Sequence, residues 1–176
     1  MALKTRNRTL GVLNDLLARV QRVNEGLQTG SMIGEAIKPY SPDVLDLQLQ
    51  QLWDGKASSG NDIRPYYSED LKPAGYFHSK QSAGRYADWK QAITPNSNRN
   101  PDAPNLYIVG KFHSELAVDM GTDAVSVYPT TMFAKNIFDK YGQNTFGLTW
   151  KNWNKIWFDR GGYEKLMNII KTNLYV

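Results

Sequence analysis

The sequence of 176 residues contains no cysteine. That excludes a disulfide framework, a thiol nucleophile and any thiolate metal site, and it is compatible with a reducing compartment. Histidine is nearly as scarce, with only His78 and His113, so a metal site would have to draw its remaining ligands from carboxylates. Nowhere does the chain approach the ~20 consecutive apolar residues of a membrane span. Its opening stretch, MALKTRNRTLGVLNDLLARV, is broken by charges where a secretory signal needs a continuous apolar run. The expectation is a protein made in the cytoplasm, with no membrane partner. Charge of one sign is also in short supply. The net charge of +4 comes from scattered basic residues interrupted by acids, with no helix-turn-helix, zinc or basic-aromatic motif that would read a DNA sequence.

Catalytic signatures are missing as well. There is no Walker A loop, no G-x-G-x-x-G and no G-x-S-x-G elbow. The stretch LYIVGKFHSELAVDM, Leu106 to Met120, places His113 beside Ser114 and Glu115 and invites an enzymatic reading. However, it alternates apolar and polar residues, the period of a strand with one buried face. On that parity His113 shares a solvated face with Lys111, Glu115 and Asp119, while Ser114 points the other way. The stretch therefore reads as a strand bent at Gly110, with a protruding hairpin as the alternative, paired with Ala124 to Tyr128 across Gly121-Thr122. In DMGTD the two carboxylates lack calcium-loop spacing. No catalytic residue, metal site or cofactor is expected.

What the chain has in abundance is aromatic side chains, five Trp, ten Tyr and six Phe. Aromatics are enriched at contact surfaces as well as in cores. Leu13, Leu16, Val20, Val23 and Leu27 recur at alternating intervals of three and four, which predicts a helix from about Thr9 to Leu27, stopped by Thr29-Gly30-Ser31. A short helix with Ile33 and Ile37 ends at Pro39, and Ser41-Pro42 opens another with Leu45, Leu49, Leu52 and Trp53. From residue 55 to 104, Gly, Pro, Ser, Asn and Tyr dominate, with one short helix near Ser82 carrying Tyr86, Trp89 and Ile93. A stretch this long and irregular is commonly functional, so it is expected to be a contact arm. Its Tyr66, Tyr67, Tyr76, Phe77, Tyr86 and Trp89 are interface candidates, joined by Trp150 and Trp153. After the hairpin, Thr130 or Thr131 caps a helix ended by Gly142. Thr149 caps Trp150, Trp153, Ile156 and Trp157, with the three tryptophans on one face, and Tyr163, Leu166, Ile169, Ile170 and Leu174 make a last stripe. The fold class is α+β: N-terminal helices, a long irregular arm, a central β-hairpin or small antiparallel sheet and C-terminal helices, in a single domain spanning 1–176.

Three blocks, DLQLQQLWDGKASSGNDIRPYYS, NLYIVGKFHSELAVD and FAKNIFDKYGQNTFGLT, carry a resemblance. Together they resemble a family of small proteins from phages of gut Bacteroidetes, including crAss-like phages, whose members look like head-tail connector, neck or tail-completion proteins. The matching features are Gln50 to Gly55, Gly60 to Asp62, Tyr107 to Phe112, Lys140 to Gly142 and Phe146 to Leu148. The chain departs at Val109 and Lys111, where members often show Thr and Asp. The resemblance covers about two thirds of the chain and implies a virion structural protein without catalytic residues. Such a protein would form a homo-oligomeric ring, six- or twelvefold, against portal, neck or tail ring proteins, with at most non-specific contact to DNA in the lumen. Two other classes stay open: a small metal-dependent hydrolase or nuclease accessory enzyme resting on His78, His113 and nearby carboxylates, and a monomeric host-interaction protein.

Overall fold

The computed structural model describes residues 2–107, 111–121 and 125–175. Its helices and single two-stranded sheet are α+β, and the chain divides into two compact units. One comprises residues 1–41, 120–125 and 156–176; the other comprises 42–119 and 126–155.

In the first unit α1 (Ala2–Gln28) runs longer than its apolar pattern alone requires. It stops where expected, at Gly30, whose φ of 75° is a left-handed conformation that glycine adopts at little cost. Two further helices follow, α2 (Ser31–Ile37) and, at the end of the chain, α8 (Gly162–Tyr175). Val23, Met32, Ala36 and Ile169 form their shared core, with Leu166, Ile170 and Leu174 packed against it. Gly26 lies against Met32, where an added Cβ would come within 2.8 Å of the methionine side chain. The last apolar stripe is thus a packing face as its spacing predicts, except that Tyr163 is left exposed.

The second unit begins with α3 (Ser41–Trp53). Its buried face is Val44, Gln48, Gln51 and Leu52, so two glutamines lie where a leucine stripe is expected. Leu45 and Leu49 pack at the side of a core made by Leu52, Ile63, Leu116 and Phe146. Both glutamines clasp a distant backbone segment. Gln48 Oε1 accepts from Gly147 N at 2.8 Å, Gln51 Nε2 donates to Gly147 O at 2.9 Å, and Gln51 Oε1 accepts from Thr149 N at 2.9 Å. Buried amides need such partners, and here each bond ties elements far apart in sequence.

Residues 55–104 are packed rather than extended as an arm. Ile63 joins the main core, and Tyr67, Phe77, Ala83 and Ala87 form a core cluster of their own. The helix within this segment, α4 (Lys80–Ile93), starts at an N-cap Ser79 that exchanges hydrogen bonds with Ser82 in a capping box. It buries Ala83, Ala87 and Lys90, leaving Trp89 and Ile93 exposed. The stretch Thr94 to Asn105, loop by composition, is knotted by side chains. Arg99 donates to Thr94 Oγ1 and Gln91 Oε1, Asn96 donates to the Trp53 carbonyl, and Asp102 accepts from Ser68 N.

The long strand expected from Leu106 to Met120 is corrected. Leu106 has φ 53°, outside the strand region and uncommon for a branched side chain. Residues 111–114 form a helical turn, α5 (Lys111–Ser114). The strand proper is β1 (Leu116–Met120), paired with β2 (Val125–Pro129). The expected bend at Gly110 and the turn residue Thr122 lie outside the described residues. Leu106 and Phe112 do share a core, both packing on the Leu52–Phe146 cluster, but from a folded-back chain.

After the hairpin α6 (Ala134–Tyr141) starts past the threonines without a side-chain cap, and Gly142 ends it. Thr149 does cap α7 (Trp150–Asn154), accepting from Asn152 N. At Lys155 the helix widens into a π-turn through Asp159. That wider winding shifts the register of Trp157 against Trp150 and Trp153, and the three tryptophans do not form one buried face. Trp150 is exposed, Trp153 and Trp157 are half-buried, and the fully buried residue is Ile156.

Candidate functional site

Two features stand apart from the packing that any fold requires. The first is α1. Between Gly11 and Val20 its apolar side chains are uncovered: Val12, Leu13, Leu16, Leu17 and Val20 are each about half exposed or more, 48% to 65%. A lone exposed leucine is ordinary, but five within nine residues on neighbouring helical positions form a contiguous apolar stripe. Where the helix meets its neighbours, from Val23 onward, the same 3–4 spacing runs into the unit's own core. An Asp15–Arg19 ion pair borders the stripe at 2.7 Å, and Arg19 also reaches the Leu174 carbonyl.

The second is a cavity of about 390 Å³ in the second unit, walled by Tyr67, Tyr86, Tyr107, Phe112, Phe133 and Tyr141 together with Leu106, Ile137, Pro104, Thr131 and Lys90. The aromatic walls hold one another in edge-on contacts. Tyr67 and Tyr86 rings lie 5.0 Å apart, and Phe77 stands edge-on to Tyr67 behind them. Burial pushes the phenol of Tyr67 well above its ordinary range, with Tyr86 and Tyr141 adding to it. Burial likewise pushes Tyr141 up to about 12.

Lys90 is the unusual member. It is 1% exposed, and among the described residues its Nζ has no hydrogen-bond partner. Burial pulls its pKa down to about 8, and the Arg99 charge pulls it the same way. Arg99 is itself buried, with Nε unpartnered among the described residues. The ordinary fate of a buried lysine is an ion pair or deprotonation. At neutral pH an amine of this pKa stays mostly protonated.

His113 lies at the edge of this cluster, on a helical turn rather than the solvated strand face expected. Its Nε2 donates to the Asn105 carbonyl at 3.1 Å and its ring meets Tyr107 edge-on. Burial lowers its pKa, the Asn105 bond opposes this and the Lys90 charge adds to it. His78 is exposed, 3.2 Å from Lys72 Nζ. Among the described residues no three His, Asp or Glu side chains stand together as a metal site would need, and no helix is long and apolar enough to cross a membrane.

The interface candidates do not converge on one surface. Tyr67 and Phe77 are core, Tyr66 and Tyr86 are half-buried, and Tyr76, Trp89 and Trp150 are exposed, with Trp153 between. Tyr66 is held inward by its hydroxyl, which donates to Asp62 at 2.9 Å. Asp62 also accepts from Lys56 and Asn100. Burial raises its pKa, but these bonds and the Lys56 charge outweigh that and leave the carboxylate below its usual range. The sequence gives one sign of the cavity that composition overlooks. Lys90 is seven residues after Ala83 and three after Ala87, on the one face of α4 where small residues allow close packing. Comparison with known proteins finds no family model, no curated protein and no solved structure that matches the chain.

Proposed function

We propose that the chain is a structural protein of a phage virion, a subunit that assembles with copies of itself into a ring of the head-tail connector, neck or tail. The observation that carries this reading is the uncovered apolar stripe of α1. Leu13, Leu16 and Val20 continue, at 3–4 spacing, into Val23 and Leu27, the pattern by which helices interlock as knobs into holes. Burying a leucine or valine side chain contributes about 1.5–3 kcal/mol. Four or five per helix are enough to offset a large part of the cost of association. A second copy is the occupant argued for, because the 3–4 apolar spacing of the stripe is the one by which like helices pack side by side. Tyr76, Trp89 and Trp150 supply further exposed aromatic surface on the other unit, suited to an unlike neighbour in a head-to-tail arrangement that closes into a ring. The resemblance of Gln50 to Gly55, Gly60 to Asp62, Tyr107 to Phe112, Lys140 to Gly142 and Phe146 to Leu148 to phage connector proteins supports the same reading, with the virion as the proposed location.

Electron cryomicroscopy of the chain mixed with the portal or neck protein encoded beside its gene tests the reading. The expected result is a ring of six or twelve copies stacked on its partner. One or two copies per particle, or none, would overturn it in favour of the host-interaction alternative.

A further inference from the structure

We propose that the tyrosine-walled cavity binds a small molecule with a carboxylate on an apolar body, the Lys90 ammonium serving as its counter-ion. This does not rest on the ring assignment. The cavity's volume of about 390 Å³ falls in the range of small-molecule sites, which pair mostly apolar walls with a few placed polar groups. Here the apolar walls are Leu106, Phe112, Phe133 and Ile137, and the polar groups are Lys90, the Thr131 hydroxyl and four phenols.

Charge decides what the ligand's head must be. Lys90 is fully enclosed without a hydrogen-bond partner among the described residues. Of the described residues that line the cavity, none is Asp or Glu. The neighbours whose charge Lys90 feels or influences are Arg99 and His113, both bases. A cation buried beside the Arg99 cation is costly unless an anion joins it, and the protein side supplies none at the cavity wall. An amine or an alcohol would leave that cost standing, whereas a carboxylate removes it.

The phenols complete the recognition. Tyr67, Tyr86 and Tyr141 line the same cavity, near enough for each to bear on another's ionisation. Burial keeps them protonated, so each offers an O–H donor, and a carboxylate has about four acceptor positions to receive them. One ammonium and neutral phenols balance a single negative charge. A phosphate dianion is favoured instead by clustered backbone N–H groups or several cations, which these walls do not provide.

The test is calorimetric titration of the full chain with octanoate, octanol and octylamine, which share an apolar body and differ in the head. Octanoate is expected to bind at least tenfold more tightly than octanol, and octylamine not at all. Lys90→Met, which keeps the length of the side chain, should bring octanoate down to the affinity of octanol. Tyr141→Phe should weaken octanoate several-fold and leave octanol unchanged. In the unmutated chain octanoate, and not octanol, should shift the Lys90 Cε resonance, a readout that does not depend on any variant folding. Equal affinity for octanoate and octanol, no binding of either at millimolar concentration, an unmoved Lys90 signal, or a tenfold preference that survives in Lys90→Met would each overturn the proposal.

Discussion

The two units solve the same problem with different materials. The first is three helices, α1, α2 and α8, meeting through a thin apolar core of Val23, Met32, Ala36 and Ile169, and it leaves much of its apolar surface in water. The second has less regular structure per residue, yet it encloses Gln48, Gln51, Lys90, Thr94, Arg99 and Asn105 almost completely. Its loops are held by side chains that bond to backbone far away in sequence. A helical unit satisfies its backbone internally and needs partners only for its apolar stripes. A loop-rich unit must find partners for most of its buried amides and carbonyls through side chains, and those bonds fix its arrangement before it meets anything else. The first unit is thereby suited to be finished by another chain, and the second to hold a shaped cavity.

The sharpest way to break this contrast is Gln51→Leu. It removes the bonds to Gly147 O, Thr149 N and Asn152 Nδ2 and puts an apolar side chain of similar bulk in place of the amide. Leaving those part-buried groups unpaired should destabilise the second unit by about 3 kcal/mol, against ~1 kcal/mol for Ile169→Val in the first. Urea melts followed by hydrogen exchange would separate the two: protection in α3 and α7 should fall while that in α8 holds. A loss below ~1 kcal/mol for Gln51→Leu would mean that apolar packing holds the second unit after all.

The same contrast governs how much could be read from the sequence. In the first unit nearly everything was legible, the stop at Gly30 and the stripe through Leu166, Ile169 and Leu174 included, because apolar spacing is itself the cause of the packing. The Thr149 cap and the existence of a hairpin were legible for equally local reasons. In the second unit the alternation from Leu106 to Met120 suggested one strand, but parity records only that residues share a core. Leu106 and Phe112 reach the Leu52–Phe146 cluster by a left-handed residue and a helical turn. Nothing local marked the buried glutamines, since their partners, Gly147 and Thr149, lie about a hundred positions away. The tyrosines of 55–104 announced a purpose without saying whether it was a partner's surface or their own cavity. Lys90 carried no signal except its place among alanines.

Lys90 sharpens the contrast through pH. Its pKa falls from the ordinary 10.5 to about 8 in the folded chain. Between those values the unfolded state binds more protons than the folded one, so stability rises with pH. From pH 8 to pH 10 the gain should be about 2 kcal/mol. Tyr67, Tyr86 and Tyr141 act in the opposite sense: their raised values contribute stability that is full below the unfolded value near 10 and is lost above it. Stability should therefore peak near pH 10. In Lys90→Met the rise should vanish and the fall should remain. Guanidinium melts at intervals of half a pH unit would show it, and a flat profile in the unmutated chain would mean that Lys90 is not buried as a cation.

The smallest expected change in stability belongs to the first unit and tests its unfinished face. Leu16 and Val20 are 50% and 48% exposed, so Leu16→Glu with Val20→Glu takes little from the chain's own core. The double variant should unfold within ~0.5 kcal/mol of the parent, as surface substitutions do, with full helix content by circular dichroism. Its assembly should nonetheless be lost, because four charges per helix pair would be driven into an apolar seam, where an unpaired carboxylate is expensive. Sedimentation at raised concentration, and co-assembly with a neck partner, would read that loss directly. The outcome turns on separating the two quantities. If the variant destabilises the chain by 2 kcal/mol or more, these residues are core of the subunit itself. If it is stable and assembles normally, α1 is not the contact between copies in the proposed ring, and that contact is to be sought on the exposed aromatics of the second unit instead.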